Sequence, residues 1–285
     1  MRICRFDDNC LGVVEGEEII DVSAVLNQLP KLSWPFPRYD LFIAHLDELR
    51  PQIEALAKTG RRVKIDSVKL LSPIADPGKI IAAPVNYKLH LDEARTDAGI
   101  HFGAKIKTIE EAGLFLKAAT SLVGPSEGVV SERRDRRTDH EIELGLVIGK
   151  RGKNISEADA LDYVAGYTIA LDMTIRGPEE RSLRKSRDTF SVLGPWMVTA
   201  DEFGDPSNVD FELKIAGVSK QKANTRDLIF DCRKLIAYAS EAYTLEPGDV
   251  IMTGTPEGVA PVEPGDVMDC WIDGIGRMQV EVRAA

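Results

Sequence analysis

The chain has 285 residues, 44% of them hydrophobic and 29% charged, with a formal net charge of −10. That is enough apolar material for a large core with room for a small appendage, while the acidic balance excludes a nucleic-acid binder that works through basic patches on phosphate and argues against docking on an anionic membrane. No apolar run approaches the roughly 18 residues needed to span a bilayer.

Met1 to Asp8 lacks the apolar run and cleavage site of a signal peptide, so a cytoplasmic protein is expected. Ile3 to Phe6, Cys10 to Val14 and Ile19 to Val22 read as short strands, the first two joined by Asp7-Asp8-Asn9, which is turn chemistry. Leu32 to Arg38 holds two prolines and reads as loop. Asp40 can cap a helix with Phe42, Leu46 and Leu49 on one face, followed by a second short turn after Pro51. Val63, Ile65 and Val68 to Leu71 read as strand. Residues 1–72 are therefore expected to form a small α+β domain.

From about residue 73 to 285 the texture changes. Lys79 to Ala83, Leu144 to Ile148 and Tyr167 to Met173 are nearly all apolar and bounded by glycine or proline, as buried strands are. Ser156 to Gly166 reads as a helix, with Ser156 at its cap and Gly166 just past its end. A second helix is expected over Cys232 to Ala242, and two Pro-Gly-Asp turns punctuate the tail. The four cysteines, Cys4, Cys10, Cys232 and Cys270, are too few for a disulfide scaffold and read as reduced and structural.

Several segments carry side chains suited to chemistry. On a strand, Glu141 and Glu143 project to one face, and the apolar run that follows carries that strand into the core. Two carboxylates held close near a core repel unless a cation lies between them. Asp172 lies inside another apolar strand, where a charge is costly unless paired or ligating. Three carboxylates form an oxygen-rich set that favours Mg²⁺ or Mn²⁺ over zinc. His140 points to the opposite face and reads as structural. His90 and Glu93 are neighbours on a helical turn, and a carboxylate beside an imidazole suits a general base. Arg181, Arg184, Lys185 and Arg187 form a charge run among which spacing does not choose. In Met252 to Val259, two glycines can present backbone N–H groups, with the Thr255 hydroxyl, to an anionic ligand.

Taken in order, these segments resemble the fumarylacetoacetate hydrolase family. The matching blocks are Asn86-Tyr87-x-x-His90-x-x-Glu93, Asp139-x-Glu141-x-Glu143-Leu144, Gly166-Tyr167-Thr168 through Asp172, Lys185-Ser186-x-Asp188-Thr189-Phe190 with Gly194-Pro195-Trp196, and Pro247-Gly248-Asp249 through Pro256. Gln221-x-x-Asn224-Thr225 is a sixth. The resemblance implies a mixed β fold with some α, in which a β-sandwich roll of the family's C-terminal type follows the small N-terminal α+β domain. It implies a homodimer, with Mg²⁺ or Mn²⁺ held by Glu141, Glu143 and Asp172. It further implies His90 and Glu93 as a water-activating dyad, Lys185 as the stabiliser of an oxyanion or enolate, and Arg176, Gln221 and Thr255 as contacts to a small 2-oxo acid substrate.

The activity so implied is metal-dependent hydrolysis of a carbon–carbon bond in an acylpyruvate-like β-diketo acid. A decarboxylase, isomerase or hydratase working through the same metal-enolate step is the alternative. A non-catalytic keto-acid-binding protein is disfavoured by the His90–Glu93 pair, because binding needs no base. The sequence departs from the family pattern at Pro84, at Leu171 and in a short span between Asp172 and Lys185. Tyr87 to Glu111, with Gly99 and Gly103, is expected to be a mobile lid that holds His90 away from the site until substrate binds.

Overall fold

A computed structural model of the chain describes residues 1–132 and 135–285. The strands that matter are, in chain order, β1 (Arg2–Phe6), β2 (Cys10–Glu15), β3 (Glu18–Asp21), β4 (Arg62–Lys64), β5 (Ile80–Ala82), β6 (Phe115–Lys117), β7 (Val129–Ser131), β8 (Ile142–Ile148), β9 (Val164–Asp172), β10 (Ser191–Thr199), β11 (Asp210–Ile215), β12 (Val218–Asn224), β13 (Val250–Met252), β14 (Val267–Ile272) and β15 (Gly276–Ala284). The helices that matter are α1 (Leu46–Ala57), α2 (Lys88–Thr96), α3 (Arg181–Lys185) and α4 (Cys232–Ala242).

One large sheet runs in the order β4-β3-β2-β1-β10-β9-β8-β13-β5-β6, and a smaller one in the order β12-β11-β14-β15-β7. The strands β8, β9 and β10 pair antiparallel at the centre of the large sheet. Nearly all their residues are buried, which is why they read as unbroken apolar runs rather than alternating ones. Phe211, Leu213, Met268, Cys270 and Val280 of the smaller sheet share a core cluster with Leu144, Leu146 and Ile169 of the larger. The mixed, sheet-dominated architecture agrees with the expectation from sequence. The N-terminal strands are not set apart from it: β1 joins β10 through Arg2 opposite Val198 and Ile3 opposite Met197, and so extends the central sheet.

Besides Ile65, which lies in a short 3₁₀ turn, Ile65–Ser67, rather than in strand, two local expectations differ from what is found. Ser156 to Gly166 is not an α-helix. A short 3₁₀ turn, Ala160–Tyr163, leads directly into β9, which contains Gly166. Gly149 N–H donates to Tyr163 O at 2.7 Å, so sheet pairing claims the backbone that a helix would need. Gly166 is there for close approach: a Cβ would lie 2.4 Å from Val198 O. The second difference concerns Pro51, which lies inside α1 rather than between two helices. The interruption falls at His45, between the short turn Leu41–Ala44 and α1, and burial of Leu46, Leu49 and Ile53 holds α1 together across the proline. The helix Cys232–Ala242 forms over the expected residues, capped by the Asp231 side chain.

Candidate active site

Glu143 lies in β8, one residue in from its start, and Glu141 just before it, so strand alternation sends both carboxylates to the same side. Asp172 ends the neighbouring strand β9, where its N–H donates to Glu141 O at 2.9 Å. The three carboxylates offer oxygen atoms that lie within 4.8 Å of one another, and all three residues are buried. Among the described residues this is the one His/Cys/Asp/Glu cluster able to hold a metal ion.

The electrostatics of the cluster are uneven. Burial works against the charge of Glu141, but Lys185 and Arg176 hold its carboxyl well below the usual range. Glu143 goes the other way: burial, then the charges of Asp172 and Glu141, push it well above the usual carboxylate range. The charge of Lys185 and then the Gly254 N–H, which donates to Glu143 Oε2 at 2.5 Å, offset this only in part. The cluster thus lacks positive charge on the Glu143 side. Three buried carboxylates short of positive charge, with oxygen donors only, fit a hard divalent cation such as Mg²⁺ or Mn²⁺.

Lys185 ends α3 and donates to Glu141 Oε2 at 2.6 Å and to Asp172 Oδ2 at 2.7 Å. The structure therefore sorts the charge run that spacing left open. Arg184 bonds the carbonyls of Glu179 and Ile175, Arg187 pairs with Glu132, and Lys185 alone of the four reaches the cluster through hydrogen bonds. Arg176 donates to Glu141 Oε1 at 2.8 Å and to Asp139 Oδ2 at 2.7 Å. Although burial opposes its charge, these two carboxylates keep its pKa above the ordinary value.

Two buried residues join the site that the sequence reading gave no role. Asp139 bridges Arg176 and Arg137. Its signal was available, because positions 139, 141 and 143 share one parity. Lys117 in β6 donates to Asp172 Oδ1 and, at 2.9 Å, to Phe190 O. Its environment inverts the usual order, with Lys117 buried and Leu116 beside it exposed, so an apolar-inward reading of the strand selects the wrong residue. Each Asp172 oxygen has two acceptor sites, so the lysine contacts leave room for a metal bond.

His90 lies in α2 with its Nδ1 2.9 Å from Glu93 Oε2. The Gly258 N–H donates to Glu93 Oε1 at 2.9 Å and fixes the carboxylate from behind. With Nδ1–H engaged by the carboxylate, Nε2 is the basic nitrogen. His90, Glu141, Glu143, Lys185, Arg176 and Thr255 line a single cavity of about 70 Å³. A larger apolar cavity of about 450 Å³ lies among residues 5–76 and contains none of these groups.

The expectation of a displaced His90 on an open lid is not met. Residues 88–112 contain α2 and two short helical turns, Ala98–His101 and Ile109–Ala112, with Leu91, Ala94 and Ile109 buried. Tyr87 forms a backbone bridge to Leu228, and the Asn86 side chain clamps Phe230 and Thr253. These contacts hold Val85 at φ +42°, an uncommon conformation for a β-branched residue, and bring His90 to the cavity wall. The glycine-containing loop also differs from expectation. Gly254 N–H serves the internal carboxyl group of Glu143, and the Thr255 hydroxyl donates to Ile142 O at 2.8 Å.

Gln221 departs further from a substrate contact. Its Oε1 accepts from Ile142 N–H and lies 2.9 Å from His140 Nδ1, while its Nε2 donates to Thr255 Oγ1 and Pro256 O. Its amide is fully engaged by the protein and braces Thr255 from outside the cavity. His140 is structural, as the strand parity predicted, and burial lowers its pKa toward the neutral form.

Comparison with known proteins agrees with this geometry. Residues 79–283 match the family described as fumarylacetoacetate (FAA) hydrolase C-terminal, and residues 1–73 match one described as Rv2993c-like, N-terminal. A maleylpyruvate hydrolase of Aquipseudomonas alcaligenes is 52% identical over 286 residues, covering 100% of both chains. A mitochondrial oxaloacetate tautomerase of Xenopus laevis is 36% identical over 93% of this chain and 83% of its own. The crystal structure of maleylpyruvate hydrolase from Sphingobium sp. SYK-6 in complex with manganese(II) ion and pyruvate superposes with a TM-score of 0.85, at 40% identity and 100% coverage of both chains.

Proposed function

This chain belongs to the fumarylacetoacetate hydrolase family, and on that ground we propose that it hydrolyses maleylpyruvate, releasing maleate and pyruvate. In coarser terms, it is a divalent-metal-dependent enzyme that hydrolyses a carbon–carbon bond in a small acylpyruvate-like β-diketo acid, and its cofactor is Mg²⁺ or Mn²⁺. The observation that carries the proposal is that His90, paired with Glu93, lines one cavity with Glu141 and Glu143 of the carboxylate cluster.

Glu141, Glu143 and Asp172 hold the metal, which when bound polarises the 2-oxo acid end of the substrate as a Lewis acid. His90, oriented by Glu93, takes a proton from water through Nε2 while the water oxygen bonds to the acyl carbonyl carbon. The carbon–carbon bond then breaks. Its electron pair leaves on the pyruvate fragment as an enolate, which takes up a proton to give pyruvate. Lys185 faces the charge that develops there. Arg176 and Asp139 fix Glu141 from behind, and Lys117 fixes Asp172. Thr255 contributes a wall of the cavity.

The catalytic unit is assigned to residues 73–285 and the small N-terminal domain to 1–72. The assembly is a homodimer acting in the cytoplasm on a soluble substrate, without a nucleic-acid or membrane partner. No helix among the described residues is long and apolar enough to cross a membrane.

The test is turnover of maleylpyruvate, acetylpyruvate and oxaloacetate by the Mn²⁺- or Mg²⁺-loaded enzyme, with pyruvate release and keto–enol exchange followed separately. Pyruvate release from maleylpyruvate is the expected result. Exchange or decarboxylation of oxaloacetate, with no cleavage of either acylpyruvate, overturns the hydrolase assignment.

A further inference from the structure

Four cationic side chains of the lysine and arginine type line the site cavity: Arg176, Arg181, Arg184 and Lys185. Three are engaged. Arg176 bonds Asp139 and Glu141, Arg184 bonds two backbone carbonyls, and Lys185 bonds Glu141 and Asp172. Other arginines close to this wall are paired as well: Arg136 with Glu179, Arg137 with Asp97 and Asp139, and Arg187 with Glu132. Among the described residues Arg181 has no hydrogen bond or ion pair. Its guanidinium carbon lies 5.8 Å from the centroid of the Phe115 ring, and the charges of Glu180, Glu141 and Asp172 act on it without a direct ion pair. Lys185 Nζ lies over the same ring at 5.5 Å. The uncommitted arginine is therefore one aromatic ring away from the reacting end of the cavity.

A half-buried guanidinium without a partner is costly, and burial indeed lowers the pKa of Arg181. Its five donors form a planar fork that matches a carboxylate in bidentate fashion. Ile100, Ile106 and Phe115 supply apolar wall beside it. At the cluster end, Lys185 and Arg176 already answer internal carboxylates.

Given the hydrolase reading above, on which this inference rests, we infer that Arg181 binds the distal carboxylate of a dicarboxylic acylpyruvate and selects dianionic substrates over monoanionic ones. The 2-oxo acid end occupies the carboxylate cluster, the carbon chain crosses Phe115, and the second carboxylate meets the Arg181 fork. Arg181 acts through binding and takes no part in proton transfer.

The experiment compares kcat/KM for maleylpyruvate, a dianion, with that for acetylpyruvate, a monoanion, in wild type, Arg181→Gln and Arg181→Lys. In Arg181→Gln the maleylpyruvate-to-acetylpyruvate ratio should fall about thirty- to hundredfold, as for loss of one desolvated arginine–carboxylate contact. The loss should be carried by KM, with Arg181→Lys recovering part of it. In wild type alone, added NaCl should raise KM for maleylpyruvate more steeply than for acetylpyruvate, which tests the idea even if the variants misfold. An unmoved ratio, or an equal loss on both substrates, overturns the anchor and leaves the hydrolase intact. If wild type releases pyruvate from neither substrate, the hydrolase reading fails first and the anchor with it.

Discussion

Asp97, which ends the helix carrying His90, accepts a hydrogen bond from Arg137 Nη1 across 2.9 Å. Arg137 also donates to Asp139, Asp139 accepts from Arg176, and Arg176 donates to Glu141. A line of four charge-assisted bonds therefore runs from the helix that carries His90 to the carboxylate cluster. The two halves of the proposed catalytic apparatus, far apart in sequence, are registered to each other by ion pairs rather than by packing alone.

The outermost pair is partly exposed, with 27% and 37% side-chain exposure for Arg137 and Asp97, so its strength is that of a surface bridge. Asp97→Asn should lower the hydrolysis rate about three- to tenfold through slackened placement of His90. A double-mutant cycle with Arg137→Ala should give a coupling of about 0.5–1 kcal/mol. Strict additivity of the two variants would show that the line carries no registration.

Glu143→Gln should have opposite effects on stability and on metal binding. Glu143 is the cluster carboxylate that burial and its neighbours hold well above the usual range. An isosteric amide removes repulsion from Asp172 and Glu141, so the metal-free variant should melt several degrees above wild type, about 1–2 kcal/mol in a protein of this size. It should also lose at least about 100-fold in Mn²⁺ affinity by calorimetric titration, because one of three anionic oxygens is gone. Unchanged affinity would remove Glu143 from the ligand set.

His90→Ala should cut hydrolysis by about 10²–10⁴, the range expected for a general base, while binding of oxalate to the Mn²⁺-loaded protein survives. Glu93→Gln should fall between wild type and His90→Ala, because it keeps the helix and the contact but weakens the orientation of the ring. Full turnover in His90→Ala would mean that no water is activated there.

Cys4, Cys232 and Cys270 are buried, and burial raises all three thiols, Cys4 and Cys232 to about 12. A thiol with a raised folded-state pKa stays protonated, so iodoacetamide at pH 9 should add one label to the native protein, on the half-exposed Cys10, and four after denaturation. The sign for stability follows. The contribution of these thiols is intact below about pH 9, where the unfolded thiols begin to ionise, and is lost as pH rises toward 12. Rapid native labelling of more than one cysteine would contradict the burial.

What could be read from the sequence divides along physical lines. The parity of Glu141 and Glu143, the charged Asp172 inside an apolar run and the His90–Glu93 spacing are local geometric facts, and each survives into the site. Lys117 is not legible in the sequence because its partner, Asp172, lies 55 residues away and its strand inverts the usual alternation. The run from Arg181 to Arg187 resisted because four equivalent charges are sorted only by partners elsewhere in the fold. The helix expected over Ser156 to Gly166 does not form because local capping signals are outweighed by sheet pairing from Gly149, and the amide of Gln221, expected at the substrate, is consumed by internal contacts.

The ladder between β1 and β10 bears on folding as well as on shape. Residues 1–73 and 79–283 match two different family models, yet they share one run of hydrogen bonds across the central sheet. A strand cannot leave that run without stripping its neighbour, and the neighbour here is β10, buried along its whole length and bonded to the strand that ends in Asp172. Melting at the amino-terminal end should thus reach the carboxylate cluster, and activity on heating should be lost together with the sheet.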